Sequence, residues 1–143
     1  MTSNSSRLDW LLDDLVRRLA KVRYAVVLST DGLMLGRSSS MSVEDAEHFS
    51  AMSSALQSLA RSAGLRFDGG DMLQTVVELE RAVLFVTSAG DNACLALLSD
   101  EGASMGTVAY EMNQTVLRLG DLLSTHKRRS LFEPQVGPLP TTS

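Results

Sequence analysis

The chain has 143 residues, 44% of them hydrophobic and 21% charged, which is the size and composition of one ordered domain with its own core. Its formal net charge of −4 argues against a general nucleic-acid coat, and no apolar run approaches the roughly 18–20 residues a membrane span needs. One cysteine, Cys94, and two histidines, His48 and His126, permit neither an internal disulfide nor a multi-histidine metal pattern.

The opening MTSNSSRLDW has no apolar stretch ahead of a small-residue cleavage site, so no signal peptide is expected and the cytoplasm is the expected compartment. There is no GxxxxGK[ST] run, no GxGxxG turn after a strand and no G-x-S-x-G elbow. A serine nucleophile would need a histidine base, yet His48 has helical spacing and His126 sits where the last helix meets a polar tail. The expectation is therefore no enzyme, and no catalytic, cofactor-binding or metal-binding residue is nominated.

The first element is a helix. Leu8, Leu11, Leu12, Leu15, Val16 and Leu19 form one apolar stripe at helical spacing. Ser5 or Ser6 is the expected N-cap, Asp9 suits the positive end, and Arg17, Arg18 and Lys21 suit the negative end. Trp10 points about 160° from the stripe centre at 100° per residue. It either folds over the helix start or a neighbouring loop, or it serves as a partner contact of the kind interfaces favour.

A β-hairpin follows, Tyr24–Ser29 and Leu33–Ser38, closed by Thr30-Asp31-Gly32. The first strand is continuously apolar in its middle and is expected to be covered on both faces; the second, with Gly36 and Arg37, reads as an edge. Ser42 and Asp45 resemble a capping box opening a long helix that ends near Gly64. Its expected core face is Ala46, Phe49, Met52, Ser53, Leu56, Leu59, Ala60 and Ala63. The other face, Ala51, Ser54, Ala55, Ser58 and Ser62, is small and uncharged where a solvated helix normally carries Lys, Glu and Arg. It reads as an interface.

Three strands come next. In 72–80, Leu73, Thr75, Val77 and Leu79 alternate with Gln74, Val76, Glu78 and Glu80, a half-covered strand. Ala82–Thr87 and Ala93–Leu98 follow after tight turns at Glu80-Arg81 and at 89–92, and the last strand is apolar throughout. Cys94 reads as core filling. The final helix has Met105, Val108, Ala109, Met112, Val116, Leu119 and Leu123 on one stripe, with Glu101 and Glu111 favouring its early turns. The basic run Lys127-Arg128-Arg129 after it, with His126, reads either as a solvated tail or as a contact for phosphate or an acidic partner. Pro134, Pro138 and Pro140 crowd the last ten residues. The expected domain is 5–128, followed by a disordered Pro/Gly-containing tail over 129–143.

Helix, two strands, helix, three strands, helix gives an α+β domain with a five-stranded, mostly antiparallel sheet. Strands 24–29 and 93–98 are expected in its middle as neighbours, with 33–38 and 72–80 at the edges. The long, little-guarded 72–80 edge is one that tends to pair.

The stretches LDWLLDDLVRRLAKVRYAVVLSTDGLMLGRS, DAEHFSAMSSALQSLARSAG, QTVVELERAVLFVTSAGDNACLALLSD and GTVAYEMNQTVLRLGDLL resemble the roadblock / dynein light chain family over residues 7 to 123, especially its stand-alone actinobacterial members. More distantly the chain is similar to the bacterial polarity regulator MglB and to profilin/longin-like α-β-α sandwiches. The resemblance implies a homodimer in which helix 43–63 and strand 72–80 meet their symmetry mates. It also implies binding of a small Ras-like GTPase on the paired helices, and gene neighbourhoods encoding a sensor-kinase-like protein, through which the chain could be recruited to the membrane periphery. Arg61 and Arg66 fall near that platform without a catalytic assignment. The nominated interface is Ala51, Ser54, Ala55, Ser58, Ser62, Thr75, Val77 and Trp10. Two other readings stand beside a GTPase-regulating adaptor: a small-molecule-sensing α+β domain, and a structural scaffold with no effect on GTP turnover.

Overall fold

The structure is a computed structural model; it describes residues 3–90 and 92–132, with side chains over 7–90 and 92–123. In chain order the elements are α1 (Ser3–Arg18), β1 (Val22–Ser29), β2 (Met34–Arg37), α2 (Val43–Arg66), β3 (Gln74–Glu78), β4 (Ala82–Ser88), β5 (Ala93–Asp100) and α3 (Met105–Phe132). The strands form one antiparallel sheet in the order β2-β1-β5-β4-β3. The chain's first and last strands are neighbours, and β2 and β3 are the edges, as the apolar patterning predicts.

Two cores separate the layers. On one face Leu8, Leu11, Leu12, Leu15 and Leu19 of α1 and Val108, Met112 and Leu119 of α3 pack on Ala25, Val27, Phe85, Leu95 and Leu97. On the other, Ala46 and Phe49 of α2 pack on Val26, Leu28, Leu84, Val86, Cys94 and Ala96. Alternate residues of β1, β4 and β5 feed opposite cores, so these strands are apolar on both faces. The result is an α-β-α sandwich. The expected tail over 129–143 lies outside the described residues from 133 onward, and Asp91 of the turn at 89–92 lies outside them too.

Several local expectations are corrected. The α1 helix starts at Ser3, so Ser5 and Ser6 lie within it and Asp9 stands beyond its first turn. Lys21 follows the helix in a left-handed conformation (φ 71°), its carbonyl accepting from Asp100 N at 2.7 Å. Glu101 precedes α3, and Glu111 instead pairs with Arg18. Met105 is exposed, and Thr115 takes an inward position on α3. The N-cap of α2 is Ser42, which accepts from Asp45 N at 3.1 Å.

The larger correction concerns α2. Its buried residues are Ala46, Phe49, Ser50, Ser53 and Gln57, while Met52 and Leu59 are 55% and 68% exposed and Ala63 also faces outward. The inner face is rotated by roughly 65° from the expected one at about 100° per residue. Small side chains let α2 lie close on the β1–β2 turn: a Cβ built on Gly32 would stand 3.5 Å from Ser54 Cβ. The Ser54 hydroxyl donates to Thr30 O at 2.9 Å.

A candidate interaction surface on the second helix and third strand

Between Phe49 and Ala60 the α2 sequence, FSAMSSALQSLA, carries no charge. Ala51, Met52, Ala55, Ser58, Leu59, Ser62 and Ala63 of this helix are exposed. The outward surface is therefore both small and aliphatic, where the sequence predicts small side chains alone. Leu65 and Phe67 extend it past the helix end, 78% and 76% exposed. Exposed apolar surface of this kind makes the face a candidate interaction site.

The sheet edges beside the helices differ. On β2 the outward Arg37 N–H donates to the Asp9 carboxylate at 2.9 Å, and Ser39 N donates to Asp13 at 2.7 Å. Residues 9 and 13 are one helical turn apart, so α1 places a carboxylate on each of two main-chain donors at the end of this edge. The β3 edge has no such cap among the described residues. Its side chains alternate exposed, half-buried, exposed, half-buried, exposed from Gln74 to Glu78. Val77 packs at the margin of the α2-side core, and Leu73 and Leu79 flank the strand exposed.

The eight nominated residues therefore separate. Ala51, Ala55, Ser58 and Ser62 share the open α2 face, whereas Ser54 is tied to the β1–β2 turn. Thr75 and Val77 turn under α2; the exposed positions of the edge are Gln74, Val76 and Glu78. Trp10 lies across the sheet in the α1/α3 layer, 55% exposed, with the Arg118 guanidinium 5.8 Å from its ring centroid. The contact the structure shows for it is with α3, in cation–π range. Sequence reasoning missed Met52, Leu59 and Val76. The parity of the strand, set by the tight turn at residues 80–81, was the signal for Val76.

Chemistry for turnover is sparse. A cleft of about 260 Å³ opens between Gln57, Arg61, Asp71, Met72, Ser88 and Gly90. Its lining is mostly polar and it is open to solvent, unlike the largely apolar pockets that enclose small ligands. Among the described residues no group of three or more His, Cys, Asp or Glu could hold a metal ion, and no helix is long and apolar enough to cross a membrane. Burial pushes the Cys94 thiol up to about 11, the opposite of an activated nucleophile.

Comparison with known proteins gives a consistent picture. A family model described as Roadblock/LC7 domain matches residues 8–99, from α1 through β5. The chain is similar to a crystal structure of a Roadblock/LC7 domain from Streptomyces avermitilis, at 43% identity and TM-score 0.79, covering 82% of this chain and 98% of that one. It is similar in fold to Myxococcus xanthus MglB, at 12% identity and TM-score 0.76, covering 84% and 97%. The fold is shared again with Acanthamoeba castellanii profilin II, at 15% identity and TM-score 0.53, covering 80% and 97%. No curated protein matches the chain.

Proposed function

The chain belongs to the Roadblock/LC7 domain family, and from that premise we propose that it is a non-enzymatic homodimeric adaptor that binds and regulates a small Ras-like GTPase in a bacterial signalling system. The supporting observation is the uncharged, partly aliphatic outer face of α2 beside a sheet edge that carries no cap among the described residues, on a molecule whose other edge has Asp9 and Asp13 on two of its main-chain donors. Solvent is a poor match for both surfaces. A second protomer and a third protein are good ones. Two α2 helices joined about a two-fold axis present one continuous platform, and an isologous interface uses the same patch twice. Such a dimer buries on the order of 1,200–2,000 Å² in total. Arg61 and Arg66, at the C-terminal end of α2, supply positive charge at the rim of that platform, where it serves recognition of an acidic partner surface rather than chemistry. The protein works in the cytoplasm and reaches a membrane only through a partner.

Two measurements test this reading. Sedimentation at micromolar concentration gives a dimer; a lone subunit removes the platform. Pull-downs from native cytoplasm, loaded separately with GTP and GDP, recover a small GTPase preferentially in one state. Hydrolysis and exchange by that GTPase change when the protein is added, whereas unchanged turnover with intact binding reduces the role to scaffolding.

A further inference from the structure

Resting on the reading that two copies pair through β3, we propose the register of that pairing: antiparallel, centred on Val76, with Gln74 of each copy opposite Glu78 of the other. Leu79 N donates to Ala82 O at 2.8 Å, and β3 pairs with β4 without a register shift from Gln74↔Thr87 to Glu78↔Val83. Main-chain groups alternate between the two sides of an antiparallel strand. Leu79, Val77 and Thr75 therefore face β4, and the N–H and C=O groups of Gln74, Val76 and Glu78 face outward. These three residues form the open edge.

A two-fold axis through such a pair sets one residue opposite its own copy. Centring on Val76 engages all five strand residues: Val76 meets Val76, Gln74 meets Glu78, and Thr75 meets Val77. Each carboxamide then lies across from a carboxylate it can donate to, and valine packs on valine. Centring on Glu78 sets two carboxylates against each other. Centring on Val77 puts the exposed Val76 against a carboxylate, and centring on Thr75 leaves Glu78 outside the paired strand. The exposure pattern along QTVVE is itself symmetric about Val76. A strand whose polarity reads the same from either end is complementary to a second copy of itself, which is why the occupant is this chain rather than a foreign strand.

The test uses the full chain with Val76→Cys, Thr75→Cys or Val77→Cys, each first sedimented and then mildly oxidised; Cys94 stays in place because it is buried. With Val76 at the centre its two Cα atoms lie about 5.5 Å apart, within disulfide reach. The two copies of residue 75, or of residue 77, lie roughly 8 Å apart, outside that reach. The expected result is a disulfide-linked dimer for Val76→Cys alone. A dimer that links through residue 75 or 77, or not through 76, overturns the register and leaves the dimer standing. A monomer in sedimentation overturns the dimer reading itself. Independently of the cysteines, at low salt Gln74→Lys tightens dimerisation roughly three- to tenfold and Gln74→Glu weakens it by a similar factor. Equal dissociation constants for the two also overturn the register.

Discussion

Cys94 stands on β5 against the α2-side core, where burial pushes its thiol up to about 11. An unfolded thiol titrates near 8.5, so its raised value in the fold has a definite sign. The benefit of keeping this thiol neutral inside is complete below the unfolded value and is lost as pH rises through about 11. Urea unfolding between pH 8 and 11 should therefore show falling stability, with Cys94→Ala flattening that decline; iodoacetamide at pH 8 should modify the thiol only once the chain is unfolded. Asp14 behaves oppositely. Its partial burial raises its pKa, but the Arg18 hydrogen bond and the charges of Arg18, Arg118 and Arg17 outweigh this and hold it below the usual carboxylate range. Its stabilising share is present above the unfolded carboxylate value and is lost as pH falls through the lower folded one, so Asp14→Asn should soften the acid limb of the unfolding profile. Single residues differ in how far the sequence reveals them. Leu12, fully buried, was legible from spacing alone, and Leu12→Ala should cost about 2–5 kcal/mol in chemical denaturation. The partner of Trp10 was not legible, because Arg118 is distant in sequence and only α1/α3 packing brings it near.

At the scale of elements, strand content, edge order and the α1 stripe were all readable, since each rests on a strong local period. The orientation of α2 was not. Met52, Leu56, Leu59 and Ala63 share one side of the helix with Phe49, and a periodicity argument places the larger side chains inward. Close approach decided otherwise: Ser50 and Ser53 are fully buried, with hydroxyls lacking hydrogen-bond partners, while larger residues remain outside. The helix end near Gly64 was legible to within two residues, since α2 runs to Arg66; the sequence did not show that a Cβ on Gly64 would come within 2.0 Å of Gly70 O. The glycine admits the following loop, so Gly64→Ala should destabilise the fold despite its better helix propensity. The outer face makes the complementary prediction. Ala55→Arg and Leu59→Glu alter exposed positions and should change unfolding free energy by no more than about 0.5 kcal/mol. Each should weaken dimerisation at least tenfold in sedimentation equilibrium; an unchanged dimer with unchanged GTPase affinity would remove that face from the interface.

The whole molecule is asymmetric in how it closes its sheet. Every open-sheet protein must manage two rows of main-chain donors and acceptors. Here α1 covers one row through Asp9 and Asp13, four residues apart on its β2-facing side, and the other row is left to β3. In the sequence, Asp9 and Asp13 pass for ordinary solvated charges, because their role appears only once β2 lies beside α1. Among the described residues β3 is the edge without such carboxylates, and this determines what proline does along it. The Val76 N–H points away from β4, so Val76→Pro removes no bond within the protomer. The Thr75 and Val77 N–H groups point into the β3–β4 ladder. Thr75→Pro and Val77→Pro therefore remove hydrogen bonds that hold the fold and should lower its melting temperature well below that of Val76→Pro. Val76→Pro should keep the circular dichroism of the parent chain; if the proposed dimer joins through β3, it should also sediment as a monomer and lose the proposed GTPase binding. If Val76→Pro remains a dimer, the protomers join without β3, and the α2 face alone must hold them together.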